Sequence, residues 1–504
     1  MGSFNFTNKD ITLIKEHGIS MDEILSQLEK FRKGSTYSIL VKPAVLGSGI
    51  FDINNYDRSE LLQLFDQASE NGRISKFVPA SGAATRMFKD LLSYVNSDNS
   101  GRSELSEKEL TSVAETMTNI QNFPFFDDLK LSIEKSGLKM DDLVNTEDCV
   151  TILDFLLFEK GLNYSKLPKA LLKFHKYDNG SRTSLEEHFV EGMKYAADSS
   201  GNINLHFTVS PEHIELFESL ITELKGKYRS GYKFNVTLTT QKPETDTISA
   251  DKNSDPFRDR NGNIVLRPGG HGALIQNLNS LNEDIVFVKN IDNVQPEYND
   301  LSINKKLLAG ILIKLQNKIF QYIELLENYA LEYLLEIEKF INDLLNIQLN
   351  EDYFMKTQDD KIAYLLSLLI RPVRVCGMVK NTGAPGGGPF YVIKNEQISL
   401  QIVESSQIDM AKEDQKNIFL SSTHFNPVDL VCGIKDKEGD SFNLLNYIDH
   451  DAYFISEKSV EGKPLKALEL PGLWNGAMAD WITVFVEVPL ETFTPVKTVN
   501  DLLR

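Results

Sequence analysis

A loop of small residues is the first segment of the sequence that could bind a phosphate group. Residues 81–86, SGAATR, lie between an apolar run that predicts a strand and a pattern that predicts a helix. Small side chains allow backbone amides to approach a ligand, and the start of a helix attracts negative charge. The loop alone is equally compatible with a tight strand-to-helix turn. The residues that would surround a phosphate are Gly82, Ala83, Ala84, Thr85 and the cation Arg86.

Two lysines near prolines could add positive charge to such a site. Lys169 directly follows Pro168 in LPKALL, and Lys497 comes two residues after Pro495 in PVKTV. An ammonium group on a constrained backbone can meet a phosphate as a point charge. Each lysine on its own is also compatible with an ordinary surface residue.

Three glycines and a histidine stand together in RPGGHGAL, ahead of a helical pattern. Gly269, Gly270 and Gly272 surround His271. Because glycines are costly to order, this cluster indicates that the backbone comes very close to something. That partner could be the edge of a base or a sugar, or a neighbouring strand, and the sequence leaves both open.

Asp292 comes just after the apolar run VFV in DIVFVKNIDNV. Open α/β sheets place ligands at the carboxyl ends of their strands, so a carboxylate there could hold Mg²⁺ together with phosphate oxygens. A simple Asp-Asn turn after a strand explains the same residues equally well.

Strand-like and helical patterns alternate along much of the chain and predict its fold class. INLHFTVS, YKFNVTLTTQ and DIVFVKNID are β-rich, HIELFESLITELKGKY is helical, and β-rich runs return after residue 373. This alternation predicts an α/β fold with a mixed, mostly parallel central sheet flanked by helices. Residues 304–370 predict a helical insertion of two or three helices, which packs on the sheet or forms a dimer surface.

The composition excludes several classes of protein. The chain has 504 residues, a formal net charge of −19 and a sequence pI near 5.0, which argues against binding to nucleic acid or to an anionic membrane surface. Three cysteines without metal-ligand spacing predict free thiols in a reducing compartment. Since no secretory signal and no membrane span stand out, we expect a cytoplasmic protein.

The order of these segments resembles the UDP-sugar pyrophosphorylase group of nucleotidyltransferases. PASGAATRM resembles the group's glycine-rich loop, LPKALL its Pro-Lys element, RPGGHGAL its Gly-Gly-His-Gly segment and FVKNIDNV its metal-binding strand end. VESSQID is similar to the segment that contacts the sugar, and PVKTVNDLL to the C-terminal Pro-Val-Lys segment. The chain as a whole looks like a bacterial family of unknown function placed near these enzymes.

The resemblance implies a sugar-1-phosphate nucleotidyltransferase that uses Mg²⁺, a nucleoside triphosphate, with UTP expected, and a sugar phosphate. Arg86, Lys169 and Lys497 would act on the phosphates, and the amides of residues 82–85 would bind the triphosphate. The residues implied for the nucleoside are Gly270, His271 and Gly272, for the metal Asp292, and for the sugar Glu404, His424 and Asn426. The segments implied are an N-terminal helical extension at 1–72, a nucleotide-binding core at 73–303, the insertion at 304–370 and a sugar-side part at 371–504.

Two positions depart from the pattern of that group. Ala84 and Phe88 stand where the group usually has glycines in and after the phosphate loop, so a glycine-only dihedral at Ala84 would change the loop. Ser405 and Gln407 replace a tyrosine and a glutamate of the sugar segment. Two other functions fit the same segments: a glycosyltransferase that uses a nucleotide sugar, and a nucleotide-sugar-binding protein without catalysis.

Overall fold

The computed structural model describes residues 4–98, 101–298, 301–383 and 386–503. Within these ranges the chain forms sixteen α-helices and nineteen strands. The helices are α1 Asn8–Glu16, α2 Met21–Lys33, α3 Arg58–Glu70, α4 Lys89–Asn96, α5 Glu107–Thr118, α6 Phe126–Lys135, α7 Met140–Asn145, α8 Cys149–Leu157, α9 Ser184–Tyr195, α10 Ile214–Lys227, α11 Ile275–Asn279, α12 Ser302–Glu327, α13 Leu334–Lys339, α14 Glu351–Phe354, α15 Gln358–Leu369 and α16 Glu413–Leu420. The strands are β1 Ile39–Pro43, β2 Val45–Leu46, β3 Gly49–Asp52, β4 Ile74–Pro79, β5 Lys173–Tyr177, β6 Gly180–Thr183, β7 Asn202–Thr208, β8 Lys233–Thr239, β9 Thr247–Ala250, β10 Leu266–Arg267, β11 Ile285–Lys289, β12 Val373–Lys380, β13 Gly388–Lys394, β14 Gln397–Val403, β15 His424–Phe425, β16 Asp429–Gly433, β17 Phe454–Val460, β18 Lys463–Glu469 and β19 Ile482–Glu487.

The chain divides into two compact units, each built from stretches that are far apart in the sequence. The first unit comprises residues 1–77, 239–288 and 303–490, and the second comprises 78–238, 289–302 and 491–504. The N-terminal segment and the helical insertion both belong to the first unit. The C-terminal residues that carry Lys497 belong to the second.

A mixed sheet forms the centre of the first unit, in the order β2-β3-β19-β12-β16-β11-β4. The pairs β2–β3, β3–β19, β19–β12 and β11–β4 are parallel, whereas β12–β16 is antiparallel. The buried faces of β11 and β12 read as nearly continuous apolar runs, as expected for strands covered on both sides. The predicted α/β fold with a mixed, largely parallel sheet and flanking helices is confirmed.

Two smaller sheets complete the first unit. One has the order β1-β13-β14, and the other, β10-β9-β18-β17, packs against α2. The sequence patterns did not single out the β17–β18 hairpin, although it pairs over seven residues on each strand.

The predicted helical insertion packs on the fold of the first unit. Lys305 on α12 forms a buried 2.8 Å ion pair with Asp429 on β16, and Leu308 approaches Gly377 on β12. Gly310 lies so close to the carbonyl of Leu61 on α3 that a Cβ would overlap it. Of the two interpretations that the sequence left open for residues 304–370, these contacts support packing on the sheet for α12.

The second unit is centred on a helical core with a small number of strands. Helices α4, α5, α6 and α8 pack their apolar faces together around Phe88, Phe123 and Leu153, and Val496 from the C-terminal segment joins them. Strands β5 and β6 form a hairpin, and β7 lies beside β8. No helix in the described part of the chain is both long enough and apolar enough to cross a membrane.

Strands β4 and β11 deliver two of the predicted functional segments to the second unit. They run parallel in the first unit, with Ile285 opposite Ile74 and Val288 opposite Phe77. Because the strands are parallel and in register, their carboxyl ends lie at the same edge of the sheet. Along the chain, β4 is followed by residues 80–83 and β11 by Asp292, and both segments belong to the second unit.

Candidate functional site

Two lysines converge on one oxygen of Asp292 in the second unit. Lys169 Nζ lies 2.8 Å from Asp292 Oδ2, and Lys497 Nζ lies 3.0 Å from the same atom. Lys169 Nζ also donates to the carbonyl of Val496 at 2.7 Å. No hydrogen bond to Asp292 Oδ1 is made by any described residue. Two ammonium groups thus meet at one carboxylate oxygen of Asp292, and its other oxygen stays open. The carboxylate of Asp501, which accepts a hydrogen bond from the amide of Lys497 at 2.9 Å, lies next to them.

Burial and charge set the protonation of this cluster. Burial alone would raise the pKa of Asp292, but the ammonium groups of Lys497 and Lys169 outweigh it and hold that pKa below its usual value. Burial lowers the pKa of Lys169, whose side chain is 12% exposed, and Asp292 opposes that effect. Asp292 is consequently ionised at neutral pH, and the side chain of Lys169 has already lost most of its water.

Helix α9 fixes the backbone immediately before Asp292. The hydroxyl of Ser184, at the start of the helix, donates to the carbonyl of Ile291, and His188 Nε2 contacts the same carbonyl at 3.3 Å. Thr183 caps the helix by accepting a hydrogen bond from the amide of Glu186. These contacts make the carboxylate a rigidly placed group.

The C-terminal segment runs beside Asp292 and brings Lys497 to it. The amide of Val496 donates to the carbonyl of Asp292 at 2.9 Å, and that of Thr494 donates to Asn293 Oδ1 at 3.0 Å. Two residues after Lys497, the amide of Val499 donates to the carbonyl of Met87 at 3.2 Å. The backbone that carries Lys497 thus touches both the Asp292 segment and the residue that follows Arg86.

The small-residue loop and the Pro-Lys element are joined by backbone hydrogen bonds. The amide of Ala84 donates to the carbonyl of Leu167 at 3.1 Å, and the amide of Lys169 donates to the carbonyl of Gly82 at 3.0 Å. This pairing holds Lys169 in place. It also occupies the amide of Ala84, one of the four that we expected to be available to a triphosphate.

Neither Gly82 nor Ala84 needs a glycine-only conformation. Gly82 does not have a positive φ, and a Cβ added to it would meet no atom within 4 Å. Ala84 starts a 3₁₀ turn, Ala84–Arg86, and its methyl group is fully buried in the core of the second unit. The alanine that departs from the group's pattern is therefore a packing residue here, and it does not strain the loop.

The other two side chains of the loop differ in their partners. Thr85 Oγ1 donates to the carbonyl of Ser165 at 3.0 Å, which ties the loop to the segment before Lys169. Arg86 is exposed and makes no hydrogen bond or ion pair within the described ranges. Its guanidinium group is available to an anion.

The glycines of residues 269–272, in the first unit, pack against the chain segment that follows β18. A Cβ on Gly269 would lie 2.7 Å from Leu470 Cδ1, and one on Gly272 would lie 2.8 Å from the carbonyl oxygen of Leu470 and overlap that of Pro471. Gly270 has φ +79°, and a Cβ there would overlap the carboxylate of Glu469. Of the two partners that the sequence left open, neighbouring protein atoms account for all three glycines: the backbone lies against Gly272, backbone and a side chain against Gly269, and the Glu469 side chain against Gly270.

His271 is the one residue of 269–272 with a functional side chain, and its ring is held by residues 473 and 474. Its ring stacks on that of Trp474, with centroids 4.4 Å apart and an interplanar angle of 19°. The amide of Leu473 donates to Nδ1 at 3.1 Å, so the neutral ring carries its proton on Nε2. Burial lowers the pKa of His271, while the carboxylates of Glu404 and Glu469 oppose that shift.

The residues expected on the sugar side also lie in the first unit. Glu404 precedes the 3₁₀ turn Ser405–Gln407, and Gln407 Oε1 accepts from its amide at 2.9 Å. His424 is buried, with Nε2 3.1 Å from Glu487 Oε1 and Nδ1 2.8 Å from Thr423 Oγ1. Asn426 donates to the carbonyl of Gly377 and accepts from the amide of Val428, so both ends of its amide hold a turn. Binding roles for these three residues stay predictions.

Magnesium fits the donor set at Asp292 in one respect. No group of three or more His, Cys, Asp or Glu side chains in the described ranges could hold a metal ion. Mg²⁺ commonly uses one or two protein carboxylates and takes its other ligands from water and phosphate. The open Oδ1 of Asp292 suits that mode of binding.

Sequence reasoning missed the segment LPGLWNG, residues 470–476. It supplies the backbone against which the glycines of residues 269–272 pack, the amide that binds His271 Nδ1, and the stacked ring of Trp474. One of only two tryptophans, placed between two glycines, was the available signal.

A sequence model of one protein family, described as a domain of unknown function (DUF4301), matches residues 7–504. The chain belongs to this family. No curated protein sequence matches it. Among solved structures, the family member is similar to a UDP-glucose pyrophosphorylase mutant from Leishmania major in complex with UDP-glucose, at 14% identity and a TM-score of 0.47, covering 100% of this chain and 80% of the other.

Two structures from Trypanosoma brucei are similar to about the same degree. A uridine diphosphate N-acetylglucosamine pyrophosphorylase in complex with an inhibitor matches at 13% identity and a TM-score of 0.48, over 95% of this chain and 74% of that one. A UDP-glucose phosphorylase matches at 13% identity and a TM-score of 0.47, over 98% and 77%.

Proposed function

We propose that this protein is a nucleotidyltransferase that joins a nucleoside triphosphate, with UTP the expected one, to a sugar 1-phosphate. The observation that carries the proposal is the convergence of Lys169 and Lys497 on a single oxygen of Asp292, whose other oxygen is open. Two lysines and a largely buried carboxylate from three distant chain segments are suited to hold phosphates.

The proposed reaction needs charge neutralisation and positioning more than acid–base chemistry. An oxygen of the sugar phosphate attacks the α-phosphorus, a new P–O bond forms, and the bond to the β-phosphate breaks with release of pyrophosphate. Attacking and leaving groups are both anions, so no side chain has to accept a proton. Catalysis then comes from aligning the two anions and from fixed cations near the charge that develops.

The residues of the second unit divide this work between them. Lys169, rigid and poorly solvated, would hold a phosphate oxygen at a fixed point, because its backbone is paired with Gly82. Lys497 is 51% exposed, so its side chain would be free to change conformation when the triphosphate binds. Arg86, which has no protein partner in the described ranges, would bind a further phosphate oxygen in bidentate fashion.

Asp292, whose Oδ1 accepts no hydrogen bond from the described residues, would hold Mg²⁺. When bound, the ion would supply neutralisation of the charge on the triphosphate. Asp292 itself pairs with both lysines and keeps their ammonium groups in position.

The residues that the resemblance implies for the nucleoside and the sugar lie in the first unit. His271, neutral and protonated on Nε2, can donate a hydrogen bond to an acceptor atom of the nucleoside. Glu404 and His424 are the expected partners of the sugar hydroxyls. Uridine is the expected nucleoside because the motifs resemble those of UDP-sugar pyrophosphorylases.

The test is pyrophosphate release by the full chain with Mg²⁺, each of the four common ribonucleoside triphosphates and a panel of sugar 1-phosphates. We expect release that requires one triphosphate and one sugar phosphate together. Breakdown of a nucleotide sugar with no pyrophosphate chemistry in either direction would replace the proposal with a glycosyltransferase. Binding of a nucleotide sugar without any turnover would replace it with a binding protein.

A further inference from the structure

Arg374 is a fully buried cation in the first unit that has no carboxylate partner. It lies on β12, between Cys432 of β16 and Thr483 of β19, and its side chain is completely shielded from solvent. Within the described ranges its guanidinium group makes no ion pair, and Nη2 has no hydrogen-bond partner. An apolar side chain would occupy the same interior without the cost of removing a charge from water. The contacts that Arg374 makes should therefore explain its presence.

Those contacts lead to His271 in two steps. Arg374 Nε donates to Thr483 Oγ1 at 2.8 Å, and Nη1 donates to the carbonyl of Trp474 at 2.7 Å. Trp474 in turn stacks on His271, and the preceding amide, that of Leu473, donates to His271 Nδ1. The hydrogen bond from Arg374 to the Trp474 carbonyl thus fixes residues 473 and 474. Those residues contact the face of the His271 ring and its Nδ1 atom.

The same segment leaves His271 little freedom to move. A Cβ on Gly472 would lie 2.7 Å from His271 Cε1 and 3.2 Å from Nε2, so the ring edge rests against bare backbone. Since Leu473 donates to Nδ1, the proton of the neutral ring is on Nε2, which has no partner among the described residues. If Leu473 and Trp474 moved, the His271 ring could rotate, and its proton could exchange between Nε2 and Nδ1.

We propose that Arg374 is a positioning residue that holds residues 473 and 474 in place and thereby keeps His271 as a fixed, single-tautomer donor at Nε2. What His271 donates to in the reaction rests on the proposed function. The positioning itself does not, because it concerns only groups within the first unit.

The experiment compares Arg374→Met with Cys432→Ala, a matched control. Cys432 is equally buried and is paired with Arg374 across the sheet, but it makes no hydrogen bond to residues 472–474 within the described ranges. The first readout is the pair of ring-nitrogen NMR signals of His271 in protein labelled with ¹⁵N-histidine, assigned by His271→Gln. The second is the fluorescence of Trp474 in a Trp481→Phe background.

We expect Arg374→Met to replace the single Nε2–H tautomer with an exchanging mixture and to change the Trp474 emission. Cys432→Ala should leave both signals as they are in the wild type. With a nucleoside triphosphate substrate, KM should rise roughly tenfold while kcat changes less than twofold, since only ground-state placement is lost. Arg374→Lys, whose single ammonium cannot span Thr483 and Trp474 as a planar fork does, should not restore the wild-type signals.

Unchanged His271 and Trp474 signals in Arg374→Met, with only a lower melting temperature, would overturn the proposal and leave a purely structural role. Should Arg374→Met fail to fold, Thr483→Val frees the Nε side of the guanidinium group and must move the same signals in the same direction. Unchanged signals in that variant would also overturn the proposal. Altered signals in a protein that binds no nucleotide would support the positioning role and count against the proposed function alone.

Discussion

Two glycine-containing loops, one in each unit, look alike in the sequence but differ in what their glycines do. In residues 81–86, Gly82 has an ordinary backbone conformation and open space where a Cβ would stand. In residues 269–272, each glycine lies against the backbone or side chains of residues 469–471, and Gly270 has a positive φ. The first loop is open because its small residues leave space around the backbone, whereas the second is filled by the protein itself.

This difference teaches that glycine content alone does not identify a ligand-binding loop. The loop with the lower glycine content lies beside the Lys169–Asp292–Lys497 cluster through its pairing with Lys169. The glycine-rich loop uses its glycines to fix one side chain, His271, between Trp474 and Leu473. Close approach of backbone to backbone requires glycine as strictly as approach to a phosphate does.

The largest expected effect is a difference in stability between two alanine variants, one in each loop. Gly272→Ala places a methyl group against the carbonyls of Leu470 and Pro471, which cannot move without moving the chain, so we expect a loss of about 3 kcal/mol. Gly82→Ala should change stability by less than about 0.5 kcal/mol. Thermal melting followed by circular dichroism measures both. Equal melting temperatures for the two variants would contradict the packing role of residues 269–272.

The next effect is a change in the affinity of the second unit for a nucleoside triphosphate when the cation Lys497 is removed. Removing the charge of Lys497 in Lys497→Met should weaken binding of a nucleoside triphosphate about tenfold, or about 1.4 kcal/mol, by titration calorimetry. The fold should be little affected, because Lys497 is half-exposed. Lys233→Met is the matched control, since that lysine is exposed on β8 of the same unit and should leave the affinity unchanged. A tenfold loss in both variants would show a general charge effect and no specific site.

The smallest effect is a pH dependence of the protein's stability that comes from His271, in residues 269–272. Burial lowers the pKa of His271 from 6.5, with Glu404 and Glu469 opposing it, so the unfolded chain takes up a proton at a higher pH than the folded one. The stability that the neutral ring contributes is therefore complete above pH 6.5 and is lost as the pH falls below it. We expect the melting temperature of the wild type to fall between pH 7 and pH 5 by more than that of His271→Gln. Parallel curves for the two proteins would contradict a neutral His271.

The sequence predicted the sheet well because its strands are short, apolar and bounded by turn residues. INLHFTVS, YKFNVTLTTQ and DIVFVKNID all contain strands, and the helix of HIELFESLITELKGKY formed where expected. The order of the motifs also placed Lys169, Asp292 and Lys497 in one list of candidates. That the three side chains would meet at one oxygen atom depends on tertiary contacts between residues more than 100 positions apart, which no local pattern contains.

Other features could not be predicted because their partners are remote in the sequence. Ala84 appeared as a possible defect of the phosphate loop until its methyl group was seen to pack in the core. Arg374 lies in an apolar strand pattern, where nothing marks it as a buried donor to Trp474. The sequence also did not indicate that both ends of the Asn426 amide bond to the backbone.

The most direct measurement of the central claim is pyrophosphate release by the wild type and by Asp292→Asn, at saturating Mg²⁺, triphosphate and sugar 1-phosphate. Asparagine keeps the size of the side chain but removes the charge that organises both lysines, so we predict a loss of at least about 100-fold in rate. The variant must still melt cooperatively, because a lysine left without its partner also costs about 3 kcal/mol of stability. Release at the wild-type rate by a folded Asp292→Asn would contradict the assignment of this cluster as the phosphate-binding centre.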